Sequence, residues 1–189
     1  MSIEEIKDLL KDAETRMSGA LRSLAEDLAG IRTGRASPAL VERLPVEYYG
    51  TPTPLKNIAT ISVPEPRTLT IKPFDAAAIK EIERAIRASN IGLNPNSDGK
   101  VIHLNLPPLD EERRRELVKQ MHHRLEEARV AVRNIRRDIH NDMRDFEKEK
   151  LITEDDLKYG QEELQKATDK FIEEIAKHGQ NKEKDIMEV

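Results

Sequence analysis

The chain reads as an α+β protein: an elongated antiparallel three-helix bundle carrying an inserted small β/α/β domain. Three observations predict this. Two long helical stretches flank the middle of the chain and a third follows at once. Each carries a single apolar stripe. Between the first two, residues 31–108, prolines crowd together and the apolar period changes to two. The composition, 36% charged, 37% hydrophobic and 3% aromatic without Trp, suits amphipathic helices better than a deep globular core.

The first helix covers residues 2–30. Its apolar positions, Ile6, Leu10, Ala13, Met17, Leu21, Leu24, Leu28 and Ile31, are spaced by threes and fours. "SIEE" supplies a start, with Ser2 as cap and Glu5 three residues on. The second helix begins after "LPPLD", where Asp110 is the expected N-cap and the prolines bar backward extension. Its stripe is Val118, Met121, Leu125, Ala128, Val132, Ile135, Ile139, Met143 and Phe146. The third opens with "TEDD", Thr153 capping reciprocally with Asp156, and buries Leu157, Leu164, Phe171 and Ile175. A link of three or four residues makes the last two helices antiparallel neighbours. The expected division is residues 1–30 with 106–189 for the bundle and 31–105 for the insertion, with crossings near 30–38 and 105–109.

Inside the insertion, "VEYY", "IATISV", "TLTI" and "VIHLNL" alternate as strands. Ala59, Ile61 and Val63 share one face, as do Ile102, Leu104 and Leu106. One helix interrupts them, capped by Asp75, lined by Ile79, Ile82 and Ile86, and followed by Gly92. "NPNSDG", residues 94–99, is dense turn chemistry.

Several chemistries are not supported. Cys is absent, so disulfides, thiolate metal sites and cysteine nucleophiles are excluded. His122 and Glu126 have i,i+4 spacing but lack a third ligand, and the adjacent His122 and His123 face apart. "GIRTGRASP" lacks the spacing of a phosphate-binding loop and reads as a helix-ending turn into a linker. No catalytic constellation stands out, so the expectation is a protein that is not an enzyme and needs no cofactor or metal. No apolar run approaches membrane-spanning length and no signal peptide opens the chain, so a cytoplasmic monomer without membrane contact is expected.

The formal net charge is −4, yet "ARVAVRNIRRDIHNDMRD", residues 128–145, gathers five arginines. At about 100° per residue, Arg129, Arg133, Arg136, Arg137 and Arg144 share one arc, with Arg115, Lys119, His122 and His140 in it. Glu126 is the one acid in that arc between residues 115 and 144. Two readings are open. The arginines could pair with acids of the third helix, whose segment 151–189 has a net charge of −5. Alternatively they form a basic ridge for a polyanion, contacting backbone and shape because aromatic stacking residues are scarce.

"IRTGRASP", "VEYYGTPTPL", "GLNPNS", "LPPLDEERR" and "ARVAVRNIRRD" together resemble the bacterial ribosome recycling factor family, in order and over nearly the whole chain. The resemblance implies an L-shaped molecule of roughly transfer-RNA dimensions. It implies binding to the ribosome after peptide release. With elongation factor G and GTP, such proteins separate the subunits and free messenger and transfer RNA. Carried onto this chain, it implies that Arg129, Arg133, Arg136 and Arg137 face large-subunit ribosomal RNA, joined by Arg113 and Arg114. It places an interdomain hinge at Arg32, Thr33, Gly34, Arg35, Ala36, Ser37 and Pro38 with Leu106, Pro107 and Pro108. It turns Tyr48, Tyr49, Gly50, Thr51 and Pro52 toward elongation factor G. The competing reading is a helical adaptor or chaperone-like scaffold for protein partners.

Overall fold

The computed structural model describes residues 2–188, apart from the side chain of Ser2, so the expected Ser2 cap lies outside the described residues. The element order is α1 (Ser2–Ala29), β1 (Pro45–Tyr48), β2 (Thr51–Pro54), β3 (Ala59–Glu65), β4 (Thr68–Pro73), α2 (Ile79–Ala88), β5 (Asn96–Ser97), β6 (Ile102–Asn105), α3 (Glu111–Lys148) and α4 (Glu154–Met187). Two compact units result. One comprises the chain through Leu28 with Lys119–Glu183; the other comprises Ala29–Val118 with the residues from Lys184 onward.

The first unit is three packed helices. The contacts of α4 give its direction: Gly160 approaches Ile6 and Met143, whereas Gly179 approaches Leu125. Rising numbers on α4 therefore meet falling numbers on α3, and the two run antiparallel. Arg16 bonds Asp138 at 3.0 Å and Arg124 bonds Asp27 at 2.6 Å, so α1 is antiparallel to α3 as well. Ile6, Ala13, Met17, Leu24, Met121, Leu125, Val132, Ile139, Met143, Leu164 and Ile175 fill the seam. At about 25 cal/mol per Å² of apolar surface removed from water, that seam is the main stabilising term.

Caps form where local chemistry demands them. Asp110 accepts from the Arg113 amide at 2.7 Å. Thr153 and Asp156 bond reciprocally, with the Asp156 amide 3.1 Å from Thr153 Oγ1 and the Thr153 amide 3.0 Å from Asp156 Oδ2. The link between α3 and α4 is residues 149–153, slightly longer than expected. Its second residue is a left-handed Lys150, φ 61°, whose amide bonds the Glu147 carbonyl while the Leu151 amide bonds that of Phe146. That pair closes α3 in the way a glycine usually does.

The stripes need correction at their edges. Leu117, not Val118, is the buried residue at the start of the α3 seam. Leu10, Leu21, Phe146 and Leu157 are half-buried. A helix turns 100° per residue against a stripe spaced by threes and fours, so flanking positions share the boundary.

In the second unit, β1 and β2 form a hairpin, and a separate antiparallel sheet has the order β3-β4-β6-β5. Val46, Leu69, Ile71, Ile82, Ile86, Ile102 and Leu104 make its core. The inner faces of α2 and β6 are as expected: Ile79, Ile82 and Ile86, and Ile102, Leu104 and Leu106, are all buried. Asp75 caps the short 3₁₀ turn leading into α2, accepting from the Ala77 amide at 3.0 Å. Val63 departs from expectation and is exposed. The β3–β4 register shifts between Ser62 and Glu65, so inside–outside alternation ends there. The turn segment 94–99 also contains β5.

Candidate nucleic-acid interface

Helix α3 carries its arginines at helical spacing beside the buried stripe, which fixes where each guanidinium emerges. Among the described residues, Glu126 is the one carboxylate that reaches Arg129, Arg133, Arg136 or Arg137. It bonds Arg129 at 3.2 Å and Arg133 at 2.6 Å, both within α3. Its carboxyl is held below the usual range by the bond from Arg133 and then by that from Arg129. Arg136 donates instead to the Gln165 side-chain oxygen of α4 at 2.9 Å, and Arg137 donates to Asn134 Oδ1.

These contacts count against the pairing of the arginines with acids of the third helix. None of the four is neutralised by an acid of α4; Arg136 reaches α4 only through a neutral amide. Asp27 and Asp138 bridge helices by engaging Arg124 and Arg16. The ridge is nevertheless not free of compensation, because four guanidinium charges face one carboxylate. Between the side-chain rows lies an open hollow of about 420 Å³ lined by Val130, Arg133, Asn134, Arg136, Arg137 and His140. Arg144 is exposed on the same helix. His122 lies 3.9 Å from Glu183 of α4, and His123 lies 3.1 Å from Glu127. No group of three or more His, Cys, Asp or Glu among the described residues is placed to hold a metal.

Arg113 and Arg114 stand in the first turn of α3 and belong to the second unit. Arg113 bonds Glu116 at 2.9 Å, and Arg114 buries an Nε without a hydrogen-bond partner. In that unit, residues 32–38 and 106–108 are tied together. Arg32, only 8% exposed, donates to the Pro107 carbonyl, and its Nε has no partner. Burial, and then the nearby Arg113 guanidinium, hold Arg32 below its ordinary pKa. The Ala36 amide bonds the Pro66 carbonyl at 2.7 Å, and the Leu106 amide bonds the Arg67 carbonyl at 2.8 Å. Thr33 Oγ1 accepts from the Arg35 amide at 3.3 Å, and Ser37 caps the turn beginning at Pro38. Gly34 has room around it, its nearest neighbour being the Glu188 carbonyl oxygen.

Tyr49 and Gly50 link β1 to β2, with φ of 49° and 77°. Two successive left-handed residues define a tight hairpin turn of the kind that matches strand twist. Tyr48 and Tyr49 meet edge to face at 4.5 Å. The Tyr49 hydroxyl donates to Asp75 at 3.0 Å, which raises the phenol pKa, while the Ala77 amide and then Tyr49 lower that of Asp75. Tyr49 is 81% exposed, Phe74 is 72% exposed, and Thr51 and Pro52 lie exposed on β2. Sequence reasoning missed Phe74 and Val130. Each sits where a period-based reading assigns nothing, and only neighbouring side chains reveal its exposure.

A helical unit with a segregated basic ridge, joined to a small α/β unit with an aromatic turn, defines an α+β protein of two units; no described helix is long and apolar enough to cross a membrane. The chain belongs to the ribosome recycling factor family, whose model matches residues 24–187. It is 54% identical over 183 residues to the ribosome-recycling factor of Symbiobacterium thermophilum, covering 97% of this chain and 99% of the relative. That of Halalkalibacterium halodurans is also 54% identical over 183 residues, with the same coverage of 97% and 99%. A solution structure of a ribosome recycling factor is 49% identical, with TM-score 0.75, covering 98% of each chain. The Thermus thermophilus factor, in a structure with Escherichia coli elongation factor G on the E. coli post-termination complex, is 44% identical; its TM-score is 0.65, and 96% of this chain and 98% of that one are covered.

Proposed function

We infer that the chain recycles ribosomes: it binds the post-termination ribosome and, with elongation factor G and GTP, promotes subunit dissociation and release of mRNA and tRNA. The observation that carries this is the family match spanning residues 24–187. The chain makes no covalent change itself, works in the cytoplasm as a monomer, and leaves GTP hydrolysis to its partner. A helical adaptor for other proteins finds no support beside that match.

Within this function, Arg129, Arg133, Arg136 and Arg137 anchor the chain to large-subunit ribosomal RNA, with Arg113 and Arg114 adding to the contact. The shortage of carboxylates around the first four supports the assignment. Guanidinium forks match phosphate oxygens, and each charge-assisted bond contributes about 1.5–3 kcal/mol. Residues 1–30 with 106–189 act as the RNA-binding domain and 31–105 as the inserted one. Arg32–Pro38 and Leu106–Pro108 are the hinge, and the Arg32–Pro107 bond makes its two strands respond together. Tyr48–Pro52 face elongation factor G, and the held Tyr49 ring gives that face a fixed shape. The uninterrupted α3 resists bending, so a push from the GTPase reaches the ribosome while the arginines keep register.

The test is light scattering of post-termination ribosomes. The chain with elongation factor G and GTP is expected to split them into subunits; the chain without the factor, or with a non-hydrolysable GTP analogue, is not. Intact ribosomes under the complete mixture would overturn the reading.

A further inference from the structure

Val130 is an apolar residue without a seam to fill. It is 44% exposed on the outer side of α3, among cations. Valine is a weak helix former, so helix formation does not account for it. A ridge that met only phosphates would gain nothing from an apolar floor.

The surroundings of Val130 are specific. Asn134 is one turn further along α3, and Arg133, Arg136, Arg137 and His140 line the same hollow. Three arginines and the exposed Val130 thus line one recess. The Asn134 oxygen accepts from Arg137, which leaves the NH₂ of this lining residue as a donor. Gln165 holds Arg136 at 2.9 Å, so that rim is braced from α4. An apolar face, guanidinium planes and one oriented amide are what an unstacked base requires: a surface for its ring, cations for its phosphate, and a partner for its edge.

We propose that this hollow receives a single unstacked nucleotide of ribosomal RNA, its base on Val130 and its phosphate among Arg133, Arg136 and Arg137. The Asn134 amide donates to an acceptor on the base edge, such as a ring carbonyl. This rests on the assignment of the ridge to RNA and adds to it a contact independent of charge. The cationic rim selects a nucleotide over an apolar protein side chain, which would leave the Arg136 and Arg137 guanidiniums without an anion.

The experiment compares the full chain with Val130→Ala, Asn134→Ala and Arg133→Ala in binding to large subunits across a salt series. The same samples are probed chemically at each RNA base. Alanine raises helix propensity at position 130, so the fold is retained. Val130→Ala is expected to lose roughly three- to tenfold in affinity at every salt concentration, as removal of two buried methyl groups implies. Its salt slope is unchanged. The bound wild type shields one base, and Val130→Ala and Asn134→Ala expose it again. Wild-type affinity for Val130→Ala, absence of any shielded base, or crosslinking of position 130 to a ribosomal protein would overturn the proposal. Should Arg133→Ala flatten the salt slope while Val130→Ala changes nothing, the ridge reading stands and the nucleotide pocket falls. If Arg133→Ala leaves the slope unaltered, the ridge reading falls with it.

Discussion

Glu126 sets the charge of the ridge. It accepts from Arg129 and Arg133, and those bonds depress its pKa. A depressed carboxyl contributes above its unfolded pKa and loses that contribution as pH falls through its folded value, so the pair is intact throughout neutral pH. Glu126→Gln therefore raises the ridge by one positive charge. Ribosome binding at low salt is expected to tighten, and its salt dependence to steepen by up to about 0.9 log unit per log unit of salt for one added phosphate contact. Fluorescence titration at several salt concentrations measures both; weaker binding would mean that Glu126 positions the arginines rather than restrains them. Residue chemistry of this kind was partly legible in the sequence. Glu126 was the one acid in the arc, and Asp110, Asp75 and Thr153 cap as their local spacing requires. The Gln165 and Asn134 partners were not legible, because each depends on which rotamer meets which neighbour.

At the scale of elements, the tight places are the two glycines of α4. A methyl on Gly160 would stand 3.0 Å from Ile6 Cδ1 and Met143 Sδ; one on Gly179 would stand 2.4 Å from Leu125 Cδ1. Glycine weakens a helix by about 1 kcal/mol relative to alanine, and here close helix approach offsets that loss. Gly179→Val is expected to destabilise the bundle by about 1–3 kcal/mol through overpacking against Leu125. Urea unfolding followed by circular dichroism reads this directly, and unchanged stability would show that α3 and α4 tolerate separation. Periodicity found the three stripes but not these glycines, since an absent side chain leaves no mark on an apolar pattern. It also placed Val63 inside, because a register shift in β3 is decided by pairing with β4.

For the whole molecule, net charge misleads and placement decides. A chain at −4 holds its acids at helix caps, in bridges between helices and along α4, while of four arginines on α3 two share one carboxylate and two meet neutral amides. The fold class was legible because stripes and strand alternation are set locally. The grouping of the first turns of α3 with the β-rich unit was not, since it rests on neighbours distant in sequence.

The decisive measurement is co-sedimentation of the triple variant Arg133→Ala, Arg136→Ala, Arg137→Ala with ribosomes over a range of salt. Circular dichroism should be unchanged, since all three side chains lie outside the buried seam. Binding should weaken strongly at low salt. The slope of log affinity against log salt should fall by about 2–3, at roughly 0.9 for each phosphate that is no longer neutralised. A variant that sediments as the wild type does, with the same slope, would contradict the ridge as the anchor to RNA.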